Sequence, residues 1–274
     1  MQEPETPPTR RTDERRDGWS GSPDDAEDPA PLTTSFLTPR RRRGVEILDE
    51  PGIAPQLRLR SLADVARSNR LFGGLRAVLG EVDRALPELG HEGTLLDVGT
   101  GLGDVPAGVA RRAARRGVRL RTVGLDRAPE LAAAAAARTT HALCGDAFRL
   151  PFPDRAFDVV TCSQLLHHFP EREGRILLRE LHRVARLRVV VGELRRSWLA
   201  AGGFWLASWA LRFHPVTRHD GTLSVLRGFT PGELRLMVRE AVGVEPVVRR
   251  WTGWRLTASW RPTATAAPTA PGAT

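Results

Sequence analysis

At 274 residues the chain has room for one sizeable α/β domain with tails, and not for two full domains. Its 41% hydrophobic content can supply a core, and all 41 basic side chains are arginine, a usage that G- and C-rich codons explain. Against 32 acids the net charge is +9, yet the arginines recur along helices without interleaved aromatics, so no nucleic-acid groove is expected.

Residues 1–44 are rich in Pro, Ser, Thr and charge and lack apolar periodicity, so they read as a disordered tail. The opening MQEPETPPTR has no apolar stretch behind its charges, and no secretory signal is expected. From Ser61 to Leu86 apolar residues fall at helical spacing, broken at Gly73-Gly74, with Ser61 and Asp64 as a capping start; N-terminal helices are placed over 56–90. TLLDVG (94–99) reads as a first buried strand, then a glycine turn and a helix to about Arg116. RLRTVGLD (119–126), HALCGD (141–146), FDVVTCS (157–163) and LRVVVGEL (187–194) continue the strands, with helices over 128–138 and 174–185 between them. This alternation implies parallel pairing with helices on both faces. A helix over 231–242 precedes two strands, 244–251 and 254–261, separated only by Thr252-Gly253. So short a link forbids a crossover helix, and the last strand must run antiparallel to its neighbour. The domain is drawn over 45–261, with a second disordered tail over 262–274. Cys144 and Cys162 lie in strands and read as small core residues rather than a disulfide or metal pair. No metal site is expected, and a reducing cytoplasm fits.

The glycine turn reads Asp97-Val98-Gly99-Thr100-Gly101-Leu102-Gly103-Asp104. Such a turn lets backbone N–H groups at a helix start approach a ligand. Its spacing is G-x-G-x-G, not the G-x-G-x-x-G that suits a pyrophosphate, and Asp97 before it would repel a phosphate but favour a cationic amine. With LLDVGTGLGD at 95–104, Asp126, GDAFRLPFPDRAFDVVTCSQLLHHF at 145–169 and a sheet of six parallel strands plus an antiparallel seventh, residues 60–260 resemble the class I S-adenosylmethionine-dependent methyltransferases. The resemblance implies a Rossmann-like seven-stranded sheet and S-adenosylmethionine as cofactor. It implies that Asp97, Gly99, Thr100, Gly101 and Gly103 shape the methionyl pocket, and that Asp126 accepts from the ribose hydroxyls. Asp146 and Ala147 would then face the adenine, and Ser163 and Gln164 would close the site. Each aspartate alone could equally be a cap or turn residue. A nicotinamide oxidoreductase on the same sheet, or a non-catalytic protein that keeps the pocket, are the alternatives.

Methyl transfer from a sulfonium is a direct displacement, so the protein mainly aligns donor and acceptor. A general base helps only for a poorly acidic oxygen or carbon; His167 and His168 are the catalytic candidates, with pocket lining as their other reading. His214 and His219 are further options on a lid. Trp198 to Leu211 carries no charge over 14 residues, too short for a membrane span of about 20. It reads as a buried or interfacial helix within an acceptor cover over 195–230, with three tryptophans that suit an apolar or aromatic acceptor, core packing or a dimer contact. GFTPGEL (228–234) and RSNRLFGG (67–74) look like phrases of small-molecule methyltransferases, including those of quinone and polyketide tailoring. The N/D-P-P-Y type motif of amino-methylating enzymes is replaced by TCSQLLHHF, which points to O- or C-methylation.

Overall fold

A computed structural model describes residues 37–50 and 52–263. Most of the expected N-terminal tail and most of the C-terminal one lie outside the described residues. The chain runs α1 (Pro55–Leu71), α2 (Gly74–Val82), β1 (Glu92–Val98), α3 (Asp104–Ala114), β2 (Arg119–Asp126), α4 (Pro129–Ala135), β3 (His141–Cys144), β4 (Phe157–Ser163), α5 (Glu171–Val184), β5 (Ala185–Leu194), α6 (Trp198–Ala210), α7 (Pro215–Arg227), α8 (Pro231–Val242), β6 (Val247–Trp251) and β7 (Arg255–Trp260).

One seven-stranded sheet has the order β3-β2-β1-β4-β5-β7-β6. β1 to β5 pair in parallel, while β7 is antiparallel to both β5 and β6, so six strands share one direction and β7 opposes them. This is the architecture expected from the alternation of elements and the two-residue link. The link works because Gly253 has φ +73° and a Cβ there would lie 2.0 Å from the Phe72 carbonyl oxygen. Only glycine fits such a positive φ and such an approach. The central strands are apolar on both sides, as buried parallel strands are. Val160 and Val191 pack with Leu177, Leu181, Leu234 and Val238, and on the other face Val159 and Val190 pack with Val78, Val82 and Val109.

Four expectations are corrected. The capping start at Ser61 is wrong: α1 begins six residues earlier, with Pro at its first turn, where a fixed φ is favourable and no donor is lost. Ser61 is buried within that helix, and Asp64 instead accepts the backbone N–H of His214 at 2.8 Å. The tail boundary at 44 is also too late. Residues 37–44 pack on the domain because their backbone carbonyls and N–H groups serve buried partners. The guanidinium of Arg196, itself buried, donates to the Pro39 carbonyl at 2.8 Å, and Trp198 N–H donates to the Leu37 carbonyl at 3.1 Å. Cys144 is exposed rather than core, because β3 is an edge strand with no neighbour beyond it among the described residues. Of the two readings of the Trp-rich α6, buried or interfacial, the buried one falls: Trp198, Trp205 and Trp209 are 47%, 50% and 55% exposed, and only Ala200, Ala201 and Ser208 of this helix are buried. It has apolar residues all round, so no single stripe can bury them against the small partner surface of α7.

Candidate active site

The carboxyl edge of the parallel strands carries the glycine turn. Gly99, Gly101 and Gly103 all take positive φ, at 72°, 54° and 74°. A Cβ on Gly99 would lie 2.8 Å from Leu165 Cδ2, so the turn has no room for a side chain there. Leu125 at the end of β2 holds the turn down, its carbonyl accepting Gly99 N–H at 2.9 Å and Thr100 N–H at 3.0 Å. Asp126 follows: one carboxylate oxygen accepts Gly101 N–H at 2.8 Å and the other Ala128 N–H at 3.1 Å. Each oxygen has further lone-pair capacity, so the pair can still accept two hydroxyls. Burial raises the Asp126 pKa against those two backbone donors. Asp97 lies beneath the turn, fully enclosed, and burial pushes its pKa up to about 7 although Thr161 Oγ1 donates to it at 2.6 Å. α1 crosses the mouth of the crevice. Its Leu62 side chain would meet a Cβ on Gly101 at 3.3 Å, and Arg58 is ion-paired with Glu130 of α4.

At the rim, Asp146 is exposed and one of its oxygens accepts Phe148 N–H at 2.9 Å, while Ala147 is half-buried beside it. Ser163 ends β4. Gln164 has φ +55°; its amide donates to Asn69 Oδ1 of α1 and accepts from the Arg255 guanidinium of β7 at 2.7 Å. Gln164 therefore ties α1 to the sheet edge rather than leaving a free amide.

Past β4, the turn Leu166–His168 presents two imidazoles side by side, 4.5 Å between ring centres. His167 is buried, and its Nδ1 lies 2.8 Å from Glu193 Oε2 of β5. His168 Nδ1 lies 2.7 Å from Asp49 Oδ2. With both Nδ1 atoms engaged, both Nε2 atoms face the buried Glu46, each at 3.8 Å from one of its oxygens. Arg227 of α7 closes the group, donating to the carbonyls of His167 at 3.1 Å and His168 at 2.6 Å and to Glu46 Oε1 at 3.4 Å. Burial opposes it, but Glu46 and Asp49 hold the His168 imidazole above its ordinary pKa. Glu193 is likewise held low beside His167 despite its burial.

The family described as "Methyltransferase domain" matches residues 96–189, which span the glycine turn, Asp126, Asp146 and both histidines. Over 173 residues the chain is 33% identical to the demethylmenaquinone methyltransferase of Thermotoga maritima, a match covering 56% of this chain and 72% of that one. The chain belongs to the class I S-adenosylmethionine-dependent methyltransferases. Solved structures share its fold. A SAM-dependent methyltransferase from Aquifex aeolicus aligns with TM-score 0.53 at 16% identity, over 77% of this chain and 100% of that one. Human N-acetylserotonin methyltransferase in complex with SAM aligns with TM-score 0.54 at 16% identity, over 76% of this chain and 56% of that one.

S-adenosylmethionine is thus the cofactor of this methyltransferase, and the nicotinamide alternative is set aside. The residues present fit it: the three positive-φ glycines of the turn carry no side chain that would stand between the backbone and a ligand, and Asp126 keeps acceptor capacity at the end of β2. Of the histidines, His167 and His168 stand together at the sheet edge, while His214 and His219 do not join them. His214 Nδ1 accepts Val216 N–H at the start of α7, and His219 pairs with Asp220. The sequence reading missed Glu46, Asp49, Glu193 and Arg227. The signal for Glu193 was a carboxylate inside an otherwise apolar strand, VVVGEL. Glu46 and Asp49 carried no such signal beside the polar tail.

Proposed function

We propose that the methyltransferase transfers the methyl group to an oxygen or carbon of an apolar, quinone- or polyketide-like small molecule. The observation that carries this reading is the imidazole pair just past the carboxyl end of β4, His167 buried and His168 half-buried, with Arg227 of α7 against it. Asp97, Gly99, Thr100, Gly101 and Gly103 are assigned to the methionyl part, Asp126 to the ribose, Asp146 and Ala147 to the adenine, and Ser163 and Gln164 to the wall between donor and acceptor. His167 and His168 are assigned to the acceptor side. The bound cofactor supplies an electrophilic methyl group on sulfur. This chain's residues then have to orient the acceptor and exclude water, a proximity effect.

The name of the Thermotoga maritima relative supports a quinol-like acceptor. The exposed face of α6 supports an apolar one, met at a lipid surface: Trp198, Leu199, Trp205, Leu206 and Trp209 lie outward, and the Arg218 guanidinium lies 3.6 Å from the Trp209 ring centre. Tryptophans with flanking arginines suit the headgroup level of an anionic bilayer. No helix among the described residues is long and apolar enough to cross a membrane. A cytoplasmic setting, in which both free thiols stay reduced, completes the proposal. The test is mass-spectrometric detection of a methyl gain over a panel of demethylated quinols, phenolic polyketides, catechols and primary amines. Turnover confined to the amines would overturn the reading.

A further inference from the structure

We propose that Glu46, His167 and His168 form a binding site for one divalent transition-metal ion of the zinc class. One ligand atom from each lies within 4.8 Å of the others. His167 is 2% exposed, and its Nε2 has no hydrogen-bond partner although it points into a group of carboxylates. An imidazole nitrogen left bare in a buried site costs free energy unless something occupies its lone pair. Nε2 of His168 faces the same point, and the two nitrogens each stand 3.8 Å from a Glu46 oxygen. Ligand atoms of a tetrahedral zinc site stand about 3.4 Å apart for bonds of about 2.0–2.2 Å. From separations of up to 4.8 Å the three side chains would have to draw together by as much as about 1.4 Å, a shift within reach of side-chain rotation. Glu46 Oε1 is taken by Ser224 Oγ at 2.7 Å and by Arg227, which leaves Oε2 to coordinate.

The surroundings match what such an ion requires. Each histidine presents Nε2 inward while its Nδ1 is within hydrogen-bond distance of a carboxylate, Glu193 for His167 and Asp49 for His168. That arrangement fixes the ring and makes the inward nitrogen the metal-binding one. Three carboxylates, Glu46, Asp49 and Glu193, surround the pair, against Arg227 within the group and Arg255 near Glu193. Metal ligation takes both imidazoles in their neutral form, and the carboxylates then exceed the cations of the group, an excess that a dication would offset. Two imidazoles and one carboxylate form a donor set that suits zinc, iron, cobalt or nickel rather than magnesium or calcium. Three protein ligands would leave a position open toward the acceptor side, where an acceptor oxygen or water can enter. The use of the ion rests on the methyltransferase reading, but its binding does not.

The experiment takes the full chain, stripped of metal by a chelator, and titrates it with Co²⁺ and with Zn²⁺ in competition with a chromophoric chelator. Binding of S-adenosylhomocysteine is measured in parallel by calorimetry. We expect one equivalent of Co²⁺ with the intense visible bands of four- or five-coordinate cobalt, displaced by Zn²⁺. Glu46→Gln and His168→Gln should weaken Zn²⁺ binding at least a hundredfold, and Asp49→Asn about ten- to a hundredfold. His91→Gln, an exposed histidine elsewhere, should leave it unchanged. If a ligand variant does not fold, the cobalt spectrum of the parent protein decides alone. Weak, non-stoichiometric binding with only the pale spectrum of hydrated cobalt would overturn the metal site and leave an ion-pair cluster of imidazolium and carboxylate. In that case intact S-adenosylhomocysteine binding would show that the functional reading survives. Its loss together with stoichiometric cobalt binding would overturn the functional reading and leave the metal site standing.

Discussion

Asp126 carries two loads. It holds the glycine turn through Gly101 N–H and α4 through Ala128 N–H, and it is assigned to the ribose. Asp126→Ala should therefore weaken S-adenosylhomocysteine binding about ten- to a hundredfold through the loss of charge-assisted hydrogen bonds, with a smaller loss for Asp126→Asn. Calorimetry on folded variants checks this, and unchanged affinity would remove Asp126 from the site. Asp97 gives a pH dependence of opposite sense to the usual carboxylate. Burial raises its folded pKa from 3.8 to about 7, so between those values the folded protein keeps a proton that the unfolded chain has released. Stability of the cofactor-free protein should thus fall as pH rises through this window and level off above it, by an amount on the order of 4 kcal/mol. Asp97→Asn keeps an acceptor for Thr161 and has no proton to lose. In urea melts it should match the parent at pH 4 and exceed it at pH 8; a less stable variant at pH 8 would mean that the carboxylate has a cationic partner.

Most elements were legible because their signals are local. The apolar runs of β1, β4 and β5 and the positive-φ glycines after β1 need no distant partner to be read. The short link before β7, read as two residues from the sequence and three long in the structure, Thr252 to Trp254, fixed its direction by geometry alone. What escaped depends on contacts far apart in sequence. Ser61 looked like a cap because Asp64 followed it, yet Asp64 bonds across 150 positions to His214. α7 was read only as a lid, since its apolar positions are sparse, and its purpose is to deliver Arg227 to the histidine turn. The cofactor side was legible residue by residue, whereas the carboxylates around the histidines come from two segments far apart in the chain, Glu46 and Asp49 from one and Glu193 from the other. α6 was legible as apolar but not as exposed, because burial is a property of the partner surface. If its face meets lipid, Trp205→Ser combined with Leu206→Ser should cut co-sedimentation with phosphatidylglycerol vesicles roughly tenfold or more, at an unchanged melting temperature, since burying each such side chain is worth about 1.5–3 kcal/mol. Equal sedimentation of parent and variant would refute the lipid assignment.

At the scale of the whole molecule, β7 sits between β5 and β6 although it follows both in the chain. It pairs with β5 from Val189↔Trp260 to Leu194↔Arg255 and with β6 from Val247↔Ser259 to Trp251↔Arg255. A ribosome delivers strands in sequence order, so β5 emerges early with one long edge unpaired, and its native partner on that edge is not made before residue 255. An open edge of that kind is a template for association with other chains. Ribosome-bound chains halted after Gly253 should stay sensitive to protease through β5, and protection should appear in one step in halted chains whose added C-terminal extension carries Trp260 past the exit tunnel. Early protection would mean that β6 first docks on β5 and is later displaced. The timing of translation over the final hairpin therefore governs how long a finished cofactor turn, complete by residue 126, waits in a molecule that cannot yet close.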